Sequence, residues 1–290
     1  MEKLSVLAPA KINLYLNVGA RRADGYHDLV SVMQRISLAD TLRFERVDDG
    51  LHLDTGGALP ADDSNLILRA ARAYFDAVGE SFGVDIKLTK RIPMKAGLGG
   101  GSADAAATLC ALNEMNGGKL SVDELCTIGA GIGADVPFCV KGGTQICRGI
   151  GEKMTEIEND LAPFVVIVMG DEGVSTPRAF AALDEQYGDY KGFEERAQDG
   201  LARLVTCLKT ADTDALSTAI FNRFEQTVSQ AVPDVLRVKE QLLAKGAFAA
   251  QMSGSGPSVF GLFEREKDAE NAAACMEKQG KTAFVCRFSK

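Results

Sequence analysis

The stretch KAGLGGGSADAAATLCALN, residues 95–113, decides how this chain is read. Four of its first seven residues are glycine, and helix-forming residues take over within three positions. Glycine loses more conformational freedom on folding than any other residue, so a cluster just ahead of a helix needs a compensating use. A ligand that touches the backbone supplies one. Glycines at 97, 99, 100 and 101 let backbone N–H groups approach an anion, and a helix starting at Ser102 directs its free N–H groups and positive dipole end at the same point. Ser102 reads as the N-cap of that helix, which runs to about Met115, and the NGG at 116–118 ends it. Asp104 suits the dipole, yet it would repel a phosphate unless it points outward or faces a Mg²⁺ ion.

Two common phosphate motifs do not fit these glycines. A Walker A loop ends in Lys-Ser or Lys-Thr, and neither follows here. The dinucleotide fingerprint GxGxxG fails from Gly97, because Ser102 stands at its last position, and from Gly99, because Asp104 does. A generic nicotinamide-dependent oxidoreductase is therefore disfavoured.

The rest of the chain bounds the possibilities. Its 290 residues suffice for one large domain or two modest ones. The formal net charge of −8 argues against a nucleic-acid binder, while leaving room for a local patch that holds an anionic small molecule. Seven cysteines stand singly, without a CxxC pair, and there are only two histidines, so no zinc site or other protein-held metal is expected. The odd cysteine count suits a reducing, cytoplasmic setting. The first fourteen residues lack the apolar run of a secretory leader, and the longest apolar run, FVVIVM at 164–169, is too short to span a bilayer.

Strand and turn patterns fill the first 55 residues, including KINLYLNV at 11–18 and DTLRFERV at 40–47. A helix capped by Ser64 follows, then a strand at 83–93 that leads into the glycine cluster. GGTQICRGIGEKMTEI at 142–157 reads as a hairpin. Pro163 and the strand after it open a second half near residue 160. Helices are expected there at 177–186, 194–210, 212–230, after Pro233 and at 266–279, with strands around 259–263 and 282–288. Strands and helices mix without regular β-α-β alternation, which predicts an α+β fold.

Three further segments bear on chemistry. APAKINL places Lys11 on a strand among small and apolar residues; its ammonium either reaches solvent at a strand edge or has a buried partner. GADVPF places Asp135 in a glycine-rich turn, where it either holds the backbone or serves a reaction. An ammonium and a carboxylate beside a phosphate cradle are what phosphoryl transfer to a hydroxyl requires. MSGSGPSVFGLF at 252–263 contains a second small-residue loop, which is either a plain tight turn or a close approach to phosphates or to the first glycine loop. ADGYHD at 23–28 sets Tyr26 beside His27 in a turn, able to stack on a flat base and hydrogen-bond its edge, or merely to face solvent.

In order and spacing, APAKINLYLNV, RRADGYHDL, PMKAGLGGGSADAAATL, GADVPF and MSGSGPSVFGLF together resemble the GHMP kinases, over essentially the whole chain. The resemblance implies a two-domain α+β fold: an N-terminal domain over 1–160, like a ribosomal protein S5 domain, and a C-terminal GHMP domain over 161–290. It implies ATP and Mg²⁺ as cofactors, a small-molecule alcohol as substrate, and a monomer or weak homodimer that engages neither nucleic acid nor membrane. AKINL with DGYH points to a cytidine-diphosphate-linked substrate, phosphorylated on its 2-hydroxyl. By the same resemblance, Asp135 takes the hydroxyl proton and Lys11 is its cationic neighbour. The ATP phosphates lie along Pro93, Met94, Lys95, Ala96, Gly97, Leu98, Gly99, Gly100, Gly101, Ser102 and Ala103, with Asn65 and Lys90 near the adenine. Asn13, Tyr26 and His27 match the cytidine pocket, and Phe180, in GVSTPRAF, matches a ring on the other face of the base. Two departures stand out: Lys95 occupies a position where a small residue is usual, and Ala103 replaces a second serine, leaving Ser102 alone. Other GHMP activities, on homoserine or mevalonate, are the rival enzymes; a nucleotide sensor without turnover is the rival from another class.

Overall fold

The computed structural model describes residues 2–170, 175–186 and 193–290. In chain order the elements are β1 (Lys3–Arg21), β2 (His27–Val47), β3 (Leu51–Asp54), α1 (Leu66–Val78), β4 (Gly83–Thr89), α2 (Gly100–Met115), α3 (Val122–Ala130), α4 (Val136–Lys141), β5 (Thr144–Gly149), β6 (Lys153–Glu156) and β7 (Phe164–Val168). There follow α5 (Thr176–Gln186), α6 (Phe193–Thr210), α7 (Thr213–Ala219), β8 (Phe221–Asn222), α8 (Glu225–Ala231), α9 (Asp234–Ala244), β9 (Ala249–Met252), β10 (Val259–Phe263), α10 (Glu266–Glu277) and β11 (Ala283–Arg287). The mixture is α+β, as the irregular strand and helix order predicts. Among the described residues no helix is long and apolar enough to cross a membrane.

Two compact units follow contacts rather than chain order. One comprises Met1–Ala10, Leu38–Pro93 and Gly99–Gly142; the other comprises Lys11–Ser37, Met94–Leu98 and Gly143–Lys290. The division near residue 160 expected from sequence follows chain order, whereas the long strands β1 and β2 give residues to both units.

In the first unit, Thr41–Val47 of β2 pair antiparallel with β4, and β3 lies parallel on the far edge of β4. Leu42, Phe44, Ile86 and Leu88 are buried while Arg43, Asp85 and Lys87 are exposed, the period-two pattern of a sheet with one wet face. Helix α2 packs against α1, α3 and α4. Its apolar residues encircle it, as a helix buried on all sides requires, and alanines at 103, 105, 106, 107 and 111 allow close approach. The cap of α1 is Asn65 rather than the expected Ser64: the Asn65 side chain accepts from Ile67 N–H at 2.9 Å, while Ser64 donates to Asp62 one residue outside the helix. Such a cap contributes about 1 kcal/mol.

In the second unit, Leu29–Gln34 of β2 pair with β5, which forms the expected hairpin with β6. A four-stranded antiparallel sheet in the order β11-β7-β10-β9 carries α9 and α10. Val166, Val168, Val238, Leu242, Phe263 and Met276 sit in its core. The single helix expected over 212–230 is two helices, α7 and α8, separated by β8. Phe221 and Asn222 pair in parallel with Tyr15 and Leu16 of β1, and the Asn222 amide donates to the carbonyls of Met252 at 2.7 Å and Gly254 at 2.8 Å. Those long-range bonds override local helix propensity.

Candidate active site

The first half of the glycine loop, Met94–Leu98, belongs to the second unit. Lys95 is exposed and takes a left-handed backbone, φ +53°, rare for a residue with a Cβ. Gly97 is left-handed as well, φ +75°, and a Cβ there would drive into the Ser253 carbonyl oxygen. Ser253 Oγ donates to Gly97 O at 3.0 Å. The small-residue loop at 253–256 therefore makes a backbone approach to the first glycine loop, one of the uses left open by its sequence. Gly97→Ala combines an unfavourable φ with a backbone clash and is expected to destabilise the protein by about 2–4 kcal/mol, read from the denaturant midpoint. A shift below about 0.5 kcal/mol would contradict the packing described.

The same loop is tied to β1. Lys11 N–H donates to Leu98 O at 3.0 Å. The Lys11 side chain does not reach solvent as a strand-edge lysine would: the residue is 4% exposed, and Nζ donates to Asn13 Oδ1 at 2.8 Å. Asn13 in turn donates from Nδ2 to Ser31 Oγ at 2.8 Å, and Ser31 donates to Tyr15 O at 2.7 Å. A buried ammonium is tolerated only with such acceptors. The chain of bonds fixes Lys11 and Asn13 as a pair, so two of the residues singled out by sequence meet each other and the glycine loop.

In the first unit, α2 begins at Gly100, not Ser102, and its N-cap is Gly99 in a left-handed conformation, φ +68°. Glycine has no side chain to cap with, and no side-chain cap bond is made. The first backbone donor satisfied within the helix is Ala103 N–H, on Gly99 O. The N–H groups of Gly100, Gly101 and Ser102 are the donors that helix geometry leaves for another partner. Ser102 thus stands in the first turn.

Asp104 neither points outward nor stands ready for a cation from solvent. It is 1% exposed, and Oδ2 accepts from Lys90 Nζ at 2.7 Å. Lys90 Nζ also donates to Asp40 Oδ2 at 2.5 Å, and Asp40 Oδ1 accepts the backbone N–H groups of Arg91 and Ile92, the latter at 2.8 Å. One ammonium thus serves two buried carboxylates and pins the chain entering the glycine loop. Desolvation pushes the Asp104 carboxyl up to about 7, with Lys90 opposing and Asp40 adding to the shift. A carboxyl raised above its unfolded value of 3.8 binds its proton more tightly in the folded protein, so its contribution to stability is complete below that value and is lost as pH rises to about 7. Among the described residues Asp104 Oδ1 has no hydrogen-bond partner.

Asp135 is the N-cap residue of α4, with Pro137 in the first turn. A turn aspartate that holds the backbone would bond a helix N–H, and Asp135 makes no side-chain cap bond. The remaining sequence candidate near the adenine, Asn65, spends its side chain on the α1 cap and on Pro60 O at 2.7 Å.

The turn before β2 is set by Gly25, φ +88°, and by Asp24 Oδ1 accepting from Tyr26 N–H at 3.1 Å. It leaves Tyr26 59% exposed and His27 buried. His27 and Phe180 do come together, but ring on ring: their centroids are 4.6 Å apart with planes 26° off parallel. Phe224 meets Phe180 edge-on at 4.9 Å. His27 Nε2 lies 2.9 Å from Asp184 Oδ1, a partner that no local sequence pattern announces.

The model of the GHMP kinase N-terminal domain matches residues 65–143, and that of the GHMP kinase C-terminal domain matches residues 204–282. The chain belongs to the GHMP kinases, small-molecule kinases that use ATP as phosphate donor. Within them it is similar to proteins named 4-diphosphocytidyl-2-C-methyl-D-erythritol kinase. The one from Desulfitobacterium hafniense (strain Y51) is 37% identical over 98% of this chain and 95% of its own. That from Chlorobium phaeobacteroides (strain BS1) is 44% identical over 94% and 93%. A crystal structure of a 4-(cytidine 5'-diphospho)-2C-methyl-D-erythritol kinase superposes with a TM-score of 0.83, at 33% identity, covering 99% of this chain and 100% of that one.

Proposed function

We propose that this chain transfers the γ-phosphoryl group of ATP to the 2-hydroxyl of 4-diphosphocytidyl-2-C-methyl-D-erythritol, a step of non-mevalonate isoprenoid precursor synthesis. The shared name of its relatives supports the substrate. The observation that carries the chemistry is the buried ammonium of Lys11, on a strand bonded to the glycine loop at Leu98.

In this reading the N–H groups of residues 97–102 hold the β- and γ-phosphates, and the uncapped start of α2 supplies three of them. Asn65 and Lys90 stand beside the adenine. The Lys90 ammonium is already bound by two carboxylates, so its stem rather than its charge would serve there. Among the described residues no cluster of three acidic, histidine or cysteine side chains offers a metal cage. In this reading the Ser102 hydroxyl would be the protein's oxygen donor to a Mg²⁺ bound with the nucleotide. When bound, the ion supplies charge neutralisation between the β- and γ-phosphates. Lys11 offsets charge on the transferring group, and Asp135 orients the hydroxyl and accepts its proton. A loose transition state lets that proton leave late, so a weak base suffices.

Asn13, Tyr26, His27 and Phe180 form the cytidine pocket in this reading, and the domains follow the family's order, 1–160 and 161–290. Seven cysteines, none in a disulfide, suit a reducing cytoplasm, and the protein acts as a monomer or weak homodimer. Tyr26 is exposed and thus available to a base. Tyr26→Ala is expected to raise KM for the cytidylated substrate about tenfold, with KM for ATP changed by less than about twofold. Equal effects on both would remove Tyr26 from the pocket.

The direct test is ADP release from Mg-ATP with purified protein, supplied in parallel with the cytidylated methylerythritol, homoserine and mevalonate. Turnover on the first alone is expected. Turnover on homoserine or mevalonate without turnover on the cytidylated alcohol would overturn the assignment.

A further inference from the structure

We propose that Asp184 is a positioning residue that fixes the tautomer of His27, so that the pocket selects a base bearing an amino group over one bearing a carbonyl at the same place. This rests on the reading of His27 as part of a cytidine pocket. Asp184 Oδ1 lies 2.9 Å from His27 Nε2. A carboxylate only accepts, so the shared hydrogen belongs to Nε2. The neutral imidazole carries a single N–H, which leaves Nδ1 as a bare acceptor. Among the described residues the ring makes no hydrogen bond through Nδ1.

The surroundings hold this arrangement. His27 is 7% exposed, and its ring plane is set by stacking on Phe180, which Phe224 braces. Phe180 and Asp184 are four residues apart on α5, hence on one helix face. One helix therefore supplies both the ring that sets the imidazole plane and the acid that sets its proton. Cytosine offers a 4-amino donor where uracil has a carbonyl acceptor. An acceptor at Nδ1 bonds the first and repels the second.

Calorimetric titration of CDP and UDP into the parent and into Asp184→Asn tests this. The substituted amide can donate or accept, which frees the ring to take either tautomer. The parent is expected to bind CDP at least about tenfold tighter than UDP; in Asp184→Asn the ratio should fall to within about threefold, with ATP affinity unchanged. Asp184→Glu keeps a carboxylate and should keep the preference for CDP. An Asp184→Asn variant that retains the parent's ratio, including one that loses CDP and UDP affinity equally, makes the residue merely structural and overturns the proposal. Loss of the preference in Asp184→Glu too would assign it to packing, with the same consequence. A parent that binds CDP and UDP alike would instead remove the nucleobase pocket itself, a failure distinct from the others.

Discussion

Asp135→Asn is expected to lower kcat by about 10²–10⁴ while leaving the ATP dissociation constant within about twofold of the parent. The substitution is nearly isosteric and removes no helix cap, because the Asp135 side chain makes no cap bond to α4. Thermal stability should therefore be retained, which separates a chemical role from a structural one. Single-turnover rates with saturating ATP and substrate provide the measurement. A kcat within tenfold of the parent would exclude Asp135 as the proton acceptor.

Lys90→Met is expected to produce the largest loss of stability. The side chain keeps its length and loses its charge, leaving Asp40 and Asp104, 0% and 1% exposed, without their shared cation. Removing one partner from a buried ionic cluster typically costs about 3–5 kcal/mol, because the remaining charges cannot be solvated. The sign of the pH dependence is also fixed. At low pH Asp104 holds its proton and the loss of the ammonium is better tolerated; as pH rises through about 7, where the parent's Asp104 loses its proton, the deficit grows. Denaturant midpoints for parent and variant, taken between pH 5 and 8, should diverge with rising pH. A deficit below about 1 kcal/mol at pH 8 would mean that water already reaches the cluster.

Much of this architecture is legible in the sequence because it depends on short-range rules. The glycine cluster ahead of an alanine-rich helix marks a helix N-terminus with accessible donors. The hairpin at β5 and β6, the α+β mixture and the strand carrying Lys11 follow from local pattern. What local pattern cannot supply is the identity of distant partners. Asp104 reads as a carboxylate at risk of facing phosphate, and only the approach of Lys90 and Asp40, 14 and 64 positions away in the chain, shows that it is spent in the interior. The same limit hides Asp184, 157 residues from the histidine it holds, and Asn222, whose bonds to the 252–254 backbone interrupt an otherwise helical run. Ser64 and Asn65 are both good caps, and the choice between them falls to Asn65, which also reaches Pro60 O.

Lys11 is the position where sequence and structure together say most. The sequence offers two readings, a solvated edge lysine and a charge with a task. Burial, the bond to Asn13 and the backbone tie to Leu98 remove the first. The ammonium then lies on the strand tied to the glycine loop at Leu98, as the proposed phosphoryl-transfer reading requires.

The central claim, that Asp135 receives the proton of the hydroxyl being phosphorylated, is tested most directly by a crystal structure of the protein with the cytidylated methylerythritol and a non-hydrolysable ATP analogue. The account predicts the 2-hydroxyl within hydrogen-bond distance of the Asp135 carboxylate and in line with the γ-phosphorus. A complex in which that hydroxyl is held by a different acid, or by none, would contradict it.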